Sequence, residues 1–295
     1  MPKTRLKNYL HLHLLVFIWG FTAILGALIH LNAIPLVWYR MLFAVLFVLL
    51  YFLIKKKSLL VSKRALFKFL ISGIIIALHW IFFFSAIKVS NVSVALVSLS
   101  TGAFFTSLIE PLFFRRRLNP IELFFGLMVV FGLYIIFNVE SQYTLGIIYG
   151  LIASFLSALF TVLNGLYIKQ YKAEVLSVYQ LFFGVLFITV YVLTTFGFTF
   201  EEFSLTTSDL IYLLILSSIC TAYAFIVSVK IMEHLTPFTV MLTINLEPVY
   251  GIILAVIIFG NEEKMSPQFY IGAVIILITV LINGLIKNRK PVLPY

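Results

Sequence analysis

The sequence predicts an all-α membrane protein, ten transmembrane helices arranged as two inverted five-helix repeats. Three observations carry this expectation: an apolar excess without surface charge, an alternation of basic loops, and a match of the chain to itself. Of its 295 residues 62% are hydrophobic and 11% are charged, whereas soluble proteins carry roughly 25% charged residues. The mean hydropathy is +1.12. A large buried core would raise the apolar fraction, but it would not also remove the charges that face water.

Ten apolar runs follow one another near 11–30, 34–54, 66–88, 92–113, 120–138, 144–168, 174–196, 209–231, 237–259 and 267–286. Each can cross ~30 Å of hydrocarbon as a helix. Barrel strands are ~10 residues long and alternate in polarity; these runs are apolar all round. Pro35, Pro120, Pro237 and Pro267 stand at run starts, where proline suits the first helical turn. The first run follows Lys3, Arg5 and Lys7. It exceeds a signal-peptide core and no small-residue cleavage site follows, so it is expected to remain as the first span.

Loop charge gives an orientation. With the N-terminus in the cytoplasm, the inner segments hold 18 basic residues, among them Lys55, Lys56, Lys57, Lys63, Arg64, Arg115, Arg116, Arg117 and Lys290. The outer segments hold 2, Lys88 and Lys264. Glu140, Glu201, Glu202, Asp209, Glu262 and Glu263 fall outside. A wrong span count would scramble this split, so ten spans with both termini cytoplasmic are expected, in the cell membrane. The net charge of +10 is therefore read as topology and as contact with anionic lipid headgroups, with no nucleic-acid partner. The one cysteine, Cys220, excludes an internal disulfide and a cysteine-type metal cluster. No cofactor and no metal site is expected.

A shift of 140 lays the second run on the seventh: Tyr39 on Tyr179, Phe43 on Phe183, Val45-Leu46-Phe47 on Val185-Leu186-Phe187, Tyr51 on Tyr191 and Leu53 on Leu193. A shift near 145 lays Ser72 on Ser217, Ala77 on Ala222 and Ile81 on Ile226. The repeats are thus 1–140 and 141–295, together one transmembrane domain. Five spans is an odd number, so the second copy enters upside down. Inverted repeats recur in transporters, with the substrate near the midplane where the repeats meet.

Four stretches carry a resemblance to a known family. They are Phe17-Ile18-Trp19-Gly20; Pro35 through Arg40; Leu246-Glu247-Pro248 running on to Gly260-Asn261-Glu262; and the glycines Gly126, Gly132 and Gly272. With these the chain resembles the drug/metabolite transporter superfamily, in its EamA-like ten-helix branch. The first copy departs from the pattern, with Ala103 where the second has Pro248 and with Arg115-Arg116-Arg117 near the usual glycine–glutamate loop. The resemblance implies a cavity lined by spans one to four and six to nine, spans five and ten as outer scaffold, and carriage of small metabolites, amino acids being a common class.

The ionisable residues inside spans are read each on its own. Arg40 lies about 9 Å inside the second span by helix rise. It either snorkels to the headgroups or faces a cavity, as an anion contact or as a partner of Glu247. Glu247 lies near the midplane of the ninth span, too deep to snorkel; it serves a cavity or a buried ion pair. His79, in the third span, is a helix–helix contact or a proton-relay or substrate contact. Trp19, Tyr179, Gln180, Tyr223 and Asn245 are possible walls of a site between Arg40, His79 and Glu247. Gln180 is the repeat mate of Arg40, so the positive charge exists in one half only. Glu110, beside Arg115, reads as an interfacial salt-bridge residue.

The sequence thus points to a secondary transporter of a small polar metabolite, an amino acid or related compound, working by alternating access with export the favoured direction. Its partners are that substrate and membrane lipid. One rival is a channel-like facilitator; neither a selectivity loop nor a pore motif is present. Another is a polytopic enzyme, which needs clustered acids, bases or metal ligands that the spans lack.

Overall fold

The computed structural model describes residues 3–115 and 120–289. Arg116, Arg117 and Lys290, part of the basic loops counted above, lie outside them. Every regular element among the described residues is helical. Eight segments are long and apolar enough to cross a membrane, at 7–28, 33–55, 63–89, 92–114, 141–167, 173–195, 207–231 and 237–263; Phe124–Val139 and Pro267–Thr279 are shorter apolar stretches. These last two belong to the fifth and tenth runs of the sequence.

In chain order the helices are α1 (Lys3–Leu28), α2 (Ala33–Lys55), α3 (Lys63–Val89), α4 (Val92–Leu99), α5 (Gly102–Phe114), α6 (Pro120–Val139), α7 (Thr144–Tyr167), α8 (Ala173–Thr195), α9 (Phe200–Phe203), α10 (Thr207–Ser217), α11 (Ala224–Ile231), α12 (Pro237–Ile244), α13 (Glu247–Phe259) and α14 (Pro267–Arg289). Polar residues start several of them. Ser62, Asn91 and Thr236 accept the backbone N–H three residues on, and Thr206 with Asp209 forms a capping box. Each cap satisfies backbone donors that the first helical turn leaves without a partner.

Three spans are not the single helices that the hydropathy suggests. The fourth divides into α4 and α5, the ninth into α12 and α13, and a π turn at Ser218–Tyr223 joins α10 to α11. Pro248 sits at the start of α13 and accounts for the ninth, since it supplies no N–H to continue the ladder. The fourth breaks at the same place without proline. There Ser100 Oγ donates to the Val97 carbonyl and Thr101 Oγ1 to the Ser98 carbonyl. Hydroxyls that compete for backbone acceptors loosen a helix in the same way.

These broken spans show the internal repeat most sharply. Adding 145 to the bounds of α4 and α5 gives the bounds of α12 and α13, and the same shift carries the cap Asn91 to the cap Thr236. Both second pieces end on a positive φ, at Arg115 and Gly260. The caps are also exchanged. Glu263, beyond α13, accepts from Val92 N, Ser93 N and Ser93 Oγ at the start of α4. Glu110, on α5, accepts from Phe238 N at the start of α12. Both carboxylates are buried. Neither is the surface charge that its place in the sequence suggests: an acidic group placed on free N–H donors is stabilised there.

Packing separates a cage from a flank. α3 packs on α7 and α8, α1 on α13, α2 on α8, and α4 and α5 on α7. α6 and α14 pack chiefly on each other. They cross at two glycines that meet face to face: a Cβ on Gly132 would lie 3.0 Å from the Gly272 carbonyl oxygen, and one on Gly272 would lie 2.8 Å from that of Gly132.

Candidate functional site

One cavity of about 70 Å³ lies inside the cage. α1 contributes Trp19 and Thr22, α2 Arg40, α3 His79, Trp80 and Phe83, α7 Ser157, Phe160 and Thr161. The π turn contributes Cys220, α11 Phe225 and Ser228, and α13 Glu247. None of its lining residues comes from α6 or α14.

Arg40 is 1% exposed, so it does not snorkel to a surface. Its Nε donates to Thr221 Oγ1 over 2.7 Å. Its guanidinium carbon sits 4.1 Å from the centroid of the Trp80 ring and 5.4 Å from that of Phe84. An aromatic face of this kind stabilises a desolvated cation. Nη1 is buried with no protein partner. The guanidinium is therefore fixed along one edge and one face, with a donor left over.

The π turn makes this anchoring possible. Thr221 Oγ1 donates to the Leu216 carbonyl five residues back, which leaves its lone pairs for Arg40. The Cys220 carbonyl, released from the regular ladder, accepts from Trp19 Nε1 over 3.1 Å. π turns frequently occur at functional sites.

His79 is buried, and its Nδ1 lies 2.8 Å from the Ala153 carbonyl. A carbonyl only accepts, so Nδ1 carries the proton and Nε2 is left as an acceptor. Glu247 stands at the first position of α13, just past the break, and is 5% exposed. Among the described residues no ion pair within 4.0 Å joins it to Arg40. Arg40 and Glu247 thus line one cavity without bonding to each other directly.

Of the residues that the sequence singles out, Arg40, His79, Glu247 and Trp19 meet at this cavity. Tyr179, Gln180, Tyr223 and Asn245 do not line it. Tyr179 is at one end of the bundle, its hydroxyl donating to the Leu59 carbonyl. Gln180 donates to Ser72 Oγ and Asn164 Oδ1 where α8 presses against α3. Tyr223 is 42% exposed, 2.7 Å from His11 Nε2; the wide π turn leaves it at the surface while Cys220 and Thr221 face inward. Asn245 is buried in the break between α12 and α13, with neither amide atom partnered.

Sequence reasoning missed Thr221, Trp80, Ser157 and Thr161. Ser157, Thr161 and Asn164 are spaced four and three apart on α7, a helical face that was available to be read. Thr221 gave no such signal, because the π turn that aims it is not written in hydropathy.

Three comparisons bear on the fold and the family. One solved crystal structure superposes with a TM-score of 0.68 over 96% of this chain and 98% of its own, at 16% identity. That likeness speaks for the fold alone. An uncharacterised transporter of Clostridium kluyveri is 24% identical over 206 residues, 67% of this chain and 65% of that relative. The aligned stretch thus spans a little under two thirds of that relative's length. The EamA-like transporter family matches twice, over residues 6–138 and again over 144–285. A caged cavity in a multi-pass helical bundle, built from two copies of that family's unit over most of its length, makes this chain a member of the EamA-like transporter family.

Proposed function

We propose that the chain is a secondary carrier for a small zwitterion, an amino acid or related compound, which it moves across the cell membrane by alternating access and in the direction of export. Its ten spans form two inverted repeats near 1–140 and 141–295, with both termini cytoplasmic. The exchanged caps support the inversion. Each copy's broken span begins near where the other copy's broken span ends, the arrangement expected of two antiparallel copies. The 18-to-2 charge split supports the orientation.

The observation that carries the substrate reading is that Arg40 and Glu247 line one cavity without bonding to each other. Arg40 offers a free donor on a guanidinium already held by Thr221 and Trp80, which suits a carboxylate. Glu247 lines the same cavity from α13, and its carboxyl group suits an ammonium. His79 Nε2 and the hydroxyls of Ser157 and Thr161 add neutral contacts on the same lining. Three ionisable groups in so apolar a bundle are best tolerated around one watered site.

Counterflow in liposomes tests the carrier reading. Vesicles preloaded with unlabelled amino acid should take up labelled amino acid faster than empty ones. Equal uptake in both would indicate a channel-like facilitator. The scaffold is tested alongside. Asn138, on α6, is exposed and bonds its own helix at the Tyr134 carbonyl. Asn138→Ala should leave the counterflow rate within about twofold of wild type; a large loss would bring α6 into the transport path.

A further inference from the structure

We infer that the loops following α2 and α8 are a pair of gate straps, each tied down by a tyrosine from the other half, and that the two ties close the cavity toward opposite ends. Tyr39 is the seventh residue of α2 and Tyr179 the seventh of α8. Tyr39 donates its hydroxyl to the Phe203 carbonyl over 2.9 Å, at the end of α9 in the segment that follows α8. Tyr179 donates its hydroxyl to the Leu59 carbonyl over 2.8 Å, in the loop after α2. Each tie runs from the same position of one half to the segment that follows the corresponding helix of the other half.

The likeness extends beyond the hydroxyls. Tyr39 packs on Phe43 at 5.8 Å, and Tyr179 packs on Phe183 at 6.2 Å, the same four-residue spacing in each copy. Each tie also sits in an aromatic plug. Tyr39 and Phe203 close with Trp38 and Phe198. Tyr179 closes with Phe69, which meets Tyr167 and Tyr171.

The ends are opposite by construction. Tyr39 stands near the start of α2 and Leu59 follows its end, so ~24 Å of helix lies between the ties. Arg40, Cys220 and Glu247, which line the cavity, are all buried. Both ties are made in this structure. A strap held by one exchanged hydrogen bond, outside the cavity, is weak enough to open and specific enough to close. The end at Leu59 has a further clasp: Lys57 Nζ donates to Glu174 Oε1 and to the Tyr51 hydroxyl. The bond to Glu174 holds the Lys57 ammonium above its usual range.

This inference rests on the alternating-access reading, and the chain carries its own reporter for it. Cys220 is the one cysteine, lines the cavity and is 3% exposed. A charged, membrane-impermeant maleimide added to one side of sealed vesicles measures whether the cavity is open to that side. Tyr39→Phe and Tyr179→Phe keep the rings and their packing and remove only the ties. Losing one such bond should shift the open–closed balance by roughly three- to tenfold. Tyr39→Phe should raise the Cys220 labelling rate by that factor from one face alone, and Tyr179→Phe from the other face alone. The double variant should label from both. Acceleration from the same face in both single variants, from both faces in either one, or from neither would overturn the straps. Counterflow keeps the two ideas apart. Counterflow without opposite labelling discards the straps and keeps the carrier; opposite labelling without counterflow does the reverse.

Discussion

Arg40→Gln and Glu247→Gln are each expected to fold and to lose transport. A hydrogen bond to a charged group is worth about 1.5–3 kcal/mol, and every 1.4 kcal/mol is about tenfold in affinity. Each variant should therefore weaken zwitterion binding by roughly ten- to a hundredfold. Folding should survive because a buried charge in an apolar bundle is itself costly, and a neutral isostere lowers that cost. Arg40→Gln does lose the stacking on Trp80 and the bond to Thr221, so its melting temperature is the control to read first. Arg40→Lys should recover little, since a point charge cannot keep both the Thr221 bond and a fork toward the substrate. Two results would move the site. Wild-type transport in both folded variants places it elsewhere. Misfolding of each single variant with recovery of the double one makes the pair structural.

The second large effect is on stability. Gly73→Ala should lower the melting temperature by several degrees. A Cβ there would lie 2.5 Å from the Gln180 carbonyl oxygen, 3.0 Å from Phe183 Cβ and 3.2 Å from Gly184 N. Two of these neighbours are backbone, so no side chain can swing aside. Alanine improves helix propensity by about 1 kcal/mol over glycine, whereas forcing apart a packed contact costs typically 1–3 kcal/mol. The clash should win, by up to about 2 kcal/mol, or roughly 2–8 °C for a chain of this size class. The opening of α3 from α8 would also pull Gln180 off Ser72 and Asn164. A thermal melt in detergent checks this; an unchanged or raised midpoint would show that the crossing has slack.

The helical bundle was legible because hydropathy is a bulk property. Apolar runs of twenty residues leave a bilayer few alternatives. The repeat was legible where identities clustered, at Tyr39 and Tyr179 above all. Depth alone brought Arg40, His79 and Glu247 toward one place, because residues at similar heights in a caged bundle have a common interior to share. What stayed hidden depends on rotation about a helix axis and on short-range competition for backbone groups. The break at Ser100 and Thr101 needs two hydroxyls to outbid the helix. The π turn that aims Thr221 inward leaves Tyr223 at the surface. Gln180 has the right sequence partner in Arg40, but Gly73 lets α3 come too close for any cavity beside it.

The exchanged caps also bear on how the chain is made. The first N–H groups of α4 wait for Glu263, 171 residues further along. At about 5–20 residues per second, the ribosome takes roughly ten to thirty seconds to deliver it. Throughout that interval the first half sits in the bilayer with donors that only its sibling can satisfy. Neither half is then a finished product, and a truncated message yields a fragment with raw helix ends. Such a fragment carries a chemical mark: two bare N–H donors, of Val92 and Ser93, where a carboxylate from the other half belongs.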